Sequence, residues 1–589
     1  MAHSLIVRRD MDFLLFDWLH METLFKRPSF AEHSRETVNA ILDLSERLAI
    51  DAFMPHYKDA DSNEPTLDAD GVHILPAIVD ALRQYANLGL FSAGFPPELG
   101  GLGMPHISCA ASFAYFAAAN IATAAYPMLT VANARLIATF GSKAQIEAFA
   151  MPEIEGRWFG TMCLSEPQAG SSLADVRTRA KFDGTDELGN RYRLVGNKMW
   201  ISGGDHDASD NIIHLVLAKV QGADCILPEG TRGLSLFIVP KILPDGARND
   251  LEVAGLNHKM GYRGTANCLL NLGENDGAIG WMVGSEGLGL KQMFLMMNEA
   301  RISVGIGAAA LGYRGYRHAV KYASERLQGR TIGQRGGSQV AIIEHPDVKR
   351  MLLMQKAYAE GALALCLYCA KLVDEQDDAD SASLLNLLTP IAKTWPSEFG
   401  LAANDLAIQV HGGYGYTRDF DVEQLYRDNR LNPIHEGTTG IQAADLLGRK
   451  ILRDSGTGLA VLRSRIIDTA GRGAANPGFG AEAASLLGYW ERIDKAIEIL
   501  REAHGASAFD NATPFLSAFG HGVLAWLWLD QALAADALSG QVKQDADFIE
   551  GKQRACRFFF ESELPNVAAW LIPIEASSDI AAACPITIF

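Results

Sequence analysis

The sequence lacks the short motifs by which the commonest nucleotide and metal sites are recognised. Its 589 residues contain no G-x-G-x-x-G after a strand-like run, no G-x-x-x-x-G-K-[ST] and no H-E-x-x-H. The segment Gly305–Gly312 approaches the first pattern, but its spacing is wrong and it lies inside a helical pattern. The sequence therefore predicts neither a Rossmann nor a P-loop site, and no metal site.

Cysteine and basic residues are also scarce. The eight cysteines form no disulfide framework, which suits a reducing compartment, so we expect a cytoplasmic protein. Cys366 and Cys369 form a C-x-x-C without a second pair at zinc spacing, and their apolar surroundings favour buried helix cysteines. The 70 acidic residues exceed the 52 basic ones, giving a net charge of -18. Phosphate contacts need the opposite sign, so we expect no nucleic-acid partner.

No apolar run reaches the roughly 20 clean residues that a membrane helix needs. The longest, over 109–140, is interrupted by Asn120, Pro127, Asn133 and Arg135. Near the N-terminus, Asp17 interrupts an apolar stretch and no small-residue cleavage site follows, which argues against a secretory signal. We expect a soluble protein without an integral membrane segment, whose first residues form an amphipathic helix docked on the body.

Changes of periodicity along the chain predict an α+β multidomain protein. A helical stripe over 36–48, broken by the polar Ser45, opens a helical region, and short β-rich runs between turn residues follow from about Trp158. Helical periodicity then returns and continues past Ser455. The predicted parts are an N-terminal arm (1–34), an N-terminal helical domain (35–157), an antiparallel β-barrel domain (158–282), a helical bundle (283–453) and an additional C-terminal helical domain (454–589).

Three segments carry residues suited to binding a cofactor, and each has a structural alternative. In Leu164–Ser172, hydroxyl groups and a freed backbone at Gly170 could bind a polar ring edge and phosphate, or form an ordinary turn. Trp200 could stack on an aromatic ring or lie buried on a strand. The cations of Glu325–Arg330 could bind an anion or simply stabilise a helix C-terminus.

Two later segments are more specific. Gln409–Tyr416 closes a helix with three glycines, which leave backbone amides open for a ligand. Asn432–Gln442 places Glu436 on a Pro- and Gly-bounded loop just before a helix. A carboxylate among Ile, Pro and Thr is poorly solvated, so its pKa should rise toward that of a general base. The alternative is a Glu that caps the helix beside its Thr.

In this order the motifs resemble those of the acyl-CoA dehydrogenase family, over about residues 75 to 450. The matching stretches are Leu164-Ser-Glu-Pro-Gln-Ala-Gly-Ser, Gly196-Asn-Lys-Met-Trp-Ile-Ser, Glu325-Arg-Leu-Gln-Gly-Arg, Gln409-Val-His-Gly-Gly-Tyr-Gly and Ile434-His-Glu-Gly-Thr. The resemblance implies that the region 283–453 is a four-helix bundle. The extra C-terminal domain makes the chain similar to the longer members, which include very-long-chain and methylmercaptopropionyl-CoA dehydrogenases.

The resemblance implies an FAD between the barrel and the helical bundle, with Gln409 to Gly413 approaching from a neighbouring subunit, hence a homodimer. The implied FAD contacts are Leu164, Ser165, Gly170, Ser171, Trp200, Ile201, Ser202, Arg326, Gln328, Gln409, Gly412, Gly413 and Thr438. The implied substrate contacts are Ser171, Asn298, Arg301, Glu436 and Gly437. The chain departs from the family pattern in three places: Gly440 and Pro346 each replace a Gln, and Arg335-Gly-Gly-Ser resembles a local insertion.

The resemblance further implies an enzyme that converts an acyl-CoA to the trans-2-enoyl-CoA and passes electrons to electron-transfer flavoprotein. Glu436 is the expected catalytic base. Some relatives place the base directly before the residue matched by Arg301, which here is Ala300, and Glu299 lies about 100° round the helix from it. An acyl-CoA oxidase and a DNA-binding flavoprotein of the same fold are the alternatives.

Overall fold

The computed structural model describes residues 5–222, 226–333, 336–503, 505–539 and 545–589; the insertion expected at Arg335 therefore begins outside the described residues. Within these ranges the helices are α1 (Arg8–Asp12), α2 (Arg35–Leu48), α3 (Tyr57–Ser62), α4 (Pro76–Asn87), α5 (His106–Phe140), α6 (Lys143–Gln145), α7 (Met151–Ile154), α8 (Gly289–Glu325), α9 (Pro346–Asp374), α10 (Ala379–His411), α11 (Val422–Asn429), α12 (Thr439–Asp445), α13 (Thr457–Ala475), α14 (Gly480–Glu502), α15 (Ala512–Ala537), α16 (Ala546–Phe558) and α17 (Asn566–Glu575).

In the same ranges, two short strands lie between α3 and α4, and the others lie between α7 and α8. They are β1 (Thr66–Asp68), β2 (Gly71–His73), β3 (Phe159–Cys163), β4 (Arg179–Asp186), β5 (Gly189–Ser202), β6 (Ile212–Val220), β7 (Leu234–Pro240), β8 (Leu251–Leu256), β9 (Asn267–Leu272) and β10 (Ala278–Met282). The chain divides into two compact units. We call Phe25–Ala300 the barrel unit, and Met1–Leu24 with Arg301–Phe589 the bundle unit.

The helices of the barrel unit pack around α5. Ser34 begins α2 with a capping box, and the polar position expected within its apolar stripe, Ser45, is buried. Its hydroxyl shares a 2.6 Å hydrogen bond with Ser112 of α5, which explains a polar group on the packed face. Among the described residues, α5 is the one helix long and apolar enough to cross a membrane, and 89% of its most apolar stretch is buried inside the protein. The core helix of a soluble protein meets the same criteria.

The sheet of the barrel unit closes on itself. β10 pairs with both β7 and β5, so β10, β7, β6, β4 and β5 form a ring, and β9 and β8 extend it. Most pairs are antiparallel, as predicted, but β3–β6 and β4–β6 are parallel. The β-rich runs indicate strands without indicating their partners, and partners that are not neighbours in sequence can run in either direction.

The bundle unit is built on close helix approach. A Cβ added at Gly305 of α8 would lie 2.0 Å from the carbonyl oxygen of Ala392 in α10, and one at Gly312 would lie 3.0 Å from Gly400. The glycines of α8 therefore permit close packing against α10. Cys366 and Cys369 are buried in α9, as expected for core cysteines.

The additional helices and the first part of the predicted arm, as far as Leu24, belong to the same unit, whereas residues 25–34 of the arm belong to the barrel unit. In α14 an apolar stripe is buried throughout: Leu486, Trp490, Ile493, Ile497 and Leu500. The arm docks as predicted, since Arg9 binds Asp545 at 2.9 Å and the indole of Trp18 donates to Asp530 at 2.8 Å. These elements confirm the predicted fold class: helical, barrel and helical-bundle domains with extra C-terminal helices.

Candidate active site

Seven of the predicted cofactor residues lie in two segments of the barrel unit, the loop after β3 and the end of β5: Leu164, Ser165, Gly170, Ser171, Trp200, Ile201 and Ser202. The loop after β3 is attached to β5 by a hydrogen bond from the Met199 N–H to the Ser165 carbonyl, 3.0 Å long. Gly170 and Ser171 are exposed, and a Cβ at Gly170 would meet nothing within 4 Å. The structure thus brings the first two predicted motifs together and leaves the loop open to a ligand.

Trp200 owes its position to a bulge in β5. Pairing with β9 shifts between Lys198 and Ile201, and Trp200 has φ 65°, in the left-handed region. Its side chain is 58% exposed, while Ile201 is buried and Ser202 accepts a 3.2 Å hydrogen bond from Asn267. The alternative of a buried Trp is wrong, and the exposed indole is available for stacking.

A buried ion pair holds together the loop after β3 and the part of β5 that carries Trp200. The Lys198 ammonium lies 3.0 Å from Glu166 and also donates to the carbonyls of Leu164 and Leu217, at 3.0 and 2.8 Å. Burial works to raise the pKa of Glu166, but the charge of Lys198 and hydrogen bonds from Thr178 and Arg177 outweigh it and lower the pKa. The pair fixes both the loop and β5.

In the bundle unit, two further predicted groups lie at neighbouring helix ends. Arg326 and Gln328, just after α8, are exposed, as are Gln409, Gly412 and Gly413 at the end of α10. The two ends are joined by the stacked rings of Tyr322 and His411, whose centroids are 4.3 Å apart. Gly412 has φ 60°, which ends α10 and turns the chain outward. Pro346, which replaces a Gln of the family pattern, begins α9, where its lack of an N–H costs nothing.

Glu436 lies on the strained loop between α11 and α12. Its φ is 52°, rare for a residue other than glycine, and Gly437 follows with φ 90°. The Gln442 side-chain amide donates to the Glu436 carbonyl at 3.0 Å and holds this conformation. Thr438 caps α12 by accepting from the Ile441 N–H. The capping alternative for Glu436 is therefore wrong.

The Glu436 carboxylate is half-buried and accepts no hydrogen bond from the described residues. Burial raises its pKa, although the charges of Lys393 and Arg301 act in the opposite direction. Its backbone N–H likewise donates to no described residue. A carboxylate without donors, beside a free N–H, can accept a proton from a bound molecule while the N–H binds a neighbouring oxygen.

The remaining predicted residues lie on α8. Arg301 is buried and binds Asp445 at 2.7 Å, and its Nε–H has no acceptor among the described residues. Asn298 is half-buried. Glu299, the rival base, accepts a 2.8 Å hydrogen bond from Arg135 within the barrel unit. The rival carboxylate therefore has a cationic partner, whereas that of Glu436 has no hydrogen-bonding partner in the described chain.

Three buried asparagines that sequence reasoning missed hold the Glu436 loop. Asn429 donates to Asn404 at 2.7 Å, Asn432 donates to Asn429 at 2.8 Å, and His435 lies 3.0 Å from the Asn432 side-chain oxygen. Lys393 of α10, also missed, donates to the Asn432 carbonyl at 2.6 Å. The available signal was a lysine as the single charged residue of the run Leu384–Trp395.

Comparison with known proteins assigns the family. Successive parts of the chain match the acyl-CoA dehydrogenase N-terminal domain (36–157), middle domain (161–274) and C-terminal domain (287–451), and an acetyl-CoA dehydrogenase C-terminal-like domain (464–585). The 3-methylmercaptopropionyl-CoA dehydrogenase of Ruegeria pomeroyi is 34% identical over 582 residues, covering 94% of each chain. The chain belongs to the acyl-CoA dehydrogenase family.

Two further similarities support this assignment. The broad-specificity linear acyl-CoA dehydrogenase FadE5 of Mycobacterium tuberculosis is 33% identical and covers 96% of each chain. The structure of Caenorhabditis elegans ACDH-11 in complex with C11-CoA has a TM-score of 0.74 at 20% identity, covering 98% of this chain and 94% of that one. The latter likeness shows the shared fold.

Acyl-CoA dehydrogenases bind FAD, and FAD is the cofactor of this enzyme. The chain fits that group in each unit taken separately. The barrel unit offers an exposed aromatic ring at Trp200 and an open glycine loop at Gly170. The bundle unit offers Gly412 and Gly413, whose added Cβ atoms would meet nothing within 4 Å. Open backbone at such turns can donate to phosphate oxygens.

Proposed function

We propose that this enzyme oxidises an acyl-CoA thioester to the trans-2-enoyl-CoA, with Glu436 as the base. The supporting observation is the environment of the Glu436 carboxylate, which is half-buried and accepts no hydrogen bond from the described residues. Burial raises its pKa. An α-proton beside a thioester is weakly acidic, so removing it requires a positioned base and a stabilised oxyanion. Both requirements meet in one residue of this loop.

In the proposed reaction the Glu436 carboxylate takes the proton from Cα. Its backbone N–H, free of any described acceptor, donates to the thioester oxygen as negative charge develops there. Bound FAD supplies the two-electron acceptor for the hydride that leaves Cβ. The substrate thus loses one proton to the protein and one hydride to the cofactor, which balances the oxidation. The FAD and substrate contacts named from the sequence, Asn298 and Arg301 included, are part of this proposal.

We also propose electron-transfer flavoprotein as the acceptor, a homodimer as the assembly and the cytoplasm as the location. The seven described cysteines are free thiols, which suits a reducing compartment. An oxidase would produce hydrogen peroxide in air as fast as it oxidises substrate, and that result would replace the proposed acceptor by dioxygen. A stable tetramer in light scattering would contradict the dimer.

The substitution Glu436→Gln tests the base. It keeps the side-chain shape and removes the proton acceptor, so FAD and acyl-CoA should still bind while anaerobic flavin reduction slows by about 10²–10⁴-fold or more. A panel of butanoyl-, octanoyl- and hexadecanoyl-CoA covers the unknown chain length. Glu299→Gln is the matched control, because that carboxylate is bound to Arg135, and it should keep most activity. Near-normal reduction by Glu436→Gln, with loss in Glu299→Gln, would reverse the assignment.

A further inference from the structure

Lys393 is a buried cation whose hydrogen-bonding capacity is mostly unused. It lies in α10 between Pro390 and Pro396, and its side chain is fully buried. An ammonium has three donors. In the described chain, Lys393 uses one of them, for the 2.6 Å bond to the Asn432 carbonyl, and no carboxylate lies within 4.0 Å. Burying a charge without an ion pair is unfavourable, so stability alone does not account for this lysine.

The single hydrogen bond is made to the loop that carries the base. Asn432 precedes Glu436 by four residues, and its side chain is already engaged by Asn429 and His435. The bond from Lys393 adds the main chain to this anchor. The other side of the loop is held by Gln442. The strained backbone of Glu436 is therefore fixed at both ends.

Lys393 and Glu436 also interact through their charges. Burial lowers the pKa of Lys393 to about 8, against the opposing effect of the Glu436 and Glu398 carboxylates, while Arg301 lowers it further. Lys393 and Arg301 in turn favour the ionised form of Glu436 against burial. Burial, assisted by the charge of Lys393, lowers the pKa of the adjacent His435 to about 3, so this imidazole is neutral. Glu398 is engaged by the Thr439 hydroxyl.

We propose that Lys393 is a positioning residue for the base: it anchors the loop through Asn432 and stabilises ionised Glu436 by charge without hydrogen-bonding to it. A hydrogen bond to the carboxylate would have to be broken before proton transfer, whereas a nearby charge leaves both oxygens available. This inference rests on the proposed role of Glu436. It adds a second residue, 43 positions earlier in the chain, to the machinery of proton removal.

Two substitutions separate charge from anchoring. Lys393→Met removes both, and Lys393→Gln keeps a hydrogen-bond donor without the charge. The purified FAD-containing enzymes are mixed anaerobically with octanoyl-CoA from pH 5 to pH 10, and the rate of flavin bleaching is recorded. Because an opposite charge lowers a carboxyl pKa, its loss should move the acidic limb of both variants upward by about one pH unit. At pH values below the acidic limb of the wild type, each variant should therefore reduce its flavin about tenfold more slowly than the wild type does.

The pH dependence distinguishes this role from a structural one. Because burial lowers the pKa of Lys393 to about 8, we expect the wild-type lysine to lose its charge as the pH rises through that value, and the ratio of wild-type to variant rates to shrink. A second readout uses an octanoyl-CoA analogue with sulfur in place of Cβ, which can lose its α-proton but no hydride. The pH at which its long-wavelength absorption with the flavin appears should shift in the same way.

Lys371→Met is the matched control, because Lys371 lies on the adjacent α9, where it is partly buried and already paired with Glu375. It should leave the pH profile unchanged. A loss of rate that is equal at every pH in Lys393→Met, or a wild-type profile in Lys393→Gln, would overturn the role of charge. If Glu436→Gln itself reduces flavin normally, the proposed function fails; if it is inactive but the Lys393 profiles do not shift, only this inference fails.

Discussion

Two of the fully buried lysines, one taken from each unit, differ in what surrounds their ammonium groups. Lys198 in the barrel unit uses all three donors, on Glu166 and two main-chain carbonyls. Lys393 in the bundle unit uses one, on the Asn432 carbonyl. All the hydrogen-bonding capacity of Lys198 is thus used to hold the structure together. Lys393 keeps two unused donors and a positive charge near the Glu436 carboxylate, which accepts no hydrogen bond. A charge in this position can adjust the pKa of a catalytic base.

The sharpest way to break this comparison is to remove Lys198. Lys198→Met leaves Glu166 buried without its cation, which should lower the free energy of unfolding by about 3–5 kcal/mol. Urea unfolding followed by tryptophan fluorescence measures the change. Lys393→Met should cost clearly less, because it strands no hydrogen-bonded carboxylate. Equal losses in the two variants would mean that both lysines serve stability.

Lys181→Met is the control for the barrel substitution. Lys181 lies on β4, which pairs with β5, and its side chain is exposed. Surface changes of this kind usually stay within about 0.5 kcal/mol. A large effect from Lys181→Met would show that the sheet tolerates no change at these strands, and the result for Lys198 would lose its meaning.

A smaller effect should come from the loop itself. Gly437 has φ 90°, and an added Cβ would lie 2.6 Å from the Gln442 amide nitrogen that holds Glu436. Gly437→Ala should therefore cost about 1–2 kcal/mol in stability and slow flavin reduction by about 10- to 100-fold through misplacement of the base. Melting curves and anaerobic bleaching measure the two effects.

Gly440→Ala provides the control within the same segment. Gly440 lies in the first turn of α12, and its added Cβ would meet nothing within 4 Å. Alanine there should stabilise the helix by up to about 1 kcal/mol. If Gly437→Ala were also stabilising, the loop would not need its left-handed conformation, and the fixed placement of Glu436 would be in doubt.

The contrast between the lysines also shows what sequence can predict. The Pro- and Gly-bounded loop identified Glu436 as a candidate base, because local residue types decide solvation and turn geometry. Lys393 could be recognised only as the single charged residue of a helical run, since its partner is 39 positions away. Its role depends on how α10 packs against a loop, which periodicity does not encode.

The barrel gives a second example of this limit. Alternation along β5 does not settle which way Trp200 points, because the bulge between Lys198 and Ile201 inserts a residue and reverses the phase. The parallel pairing of β3 with β6 was missed for a similar reason: 48 residues separate Cys163 from Ile212, the nearest ends of the two strands. Local patterns predicted the elements, and tertiary pairing decided their orientation.

The smallest expected effect concerns the stability of Glu436→Gln. The pKa of this carboxyl is higher in the folded than in the unfolded state, so folding favours the protonated form. The contribution of Glu436 to the free energy of unfolding is therefore fully present below its ordinary pKa. That contribution is lost as the pH rises through the pKa of the folded state. The Gln variant has no such loss. Its melting temperature should therefore match the wild type near pH 4 and exceed it modestly at pH 7.5.

Glu147→Gln is the control for that shift, since the Glu147 side chain is 66% exposed. It should show no gain that grows with pH. A Glu436→Gln variant that is less stable than wild type at pH 7.5 would mean that the ionised carboxylate stabilises its surroundings, as the Glu166 carboxylate does beneath the barrel motif. Lys393 would then resemble Lys198, because Lys393 and Glu436 would form an ion pair that stabilises the fold and lacks only a direct hydrogen bond. The difference between a lysine that stabilises the structure and one that adjusts the pKa of the base would disappear.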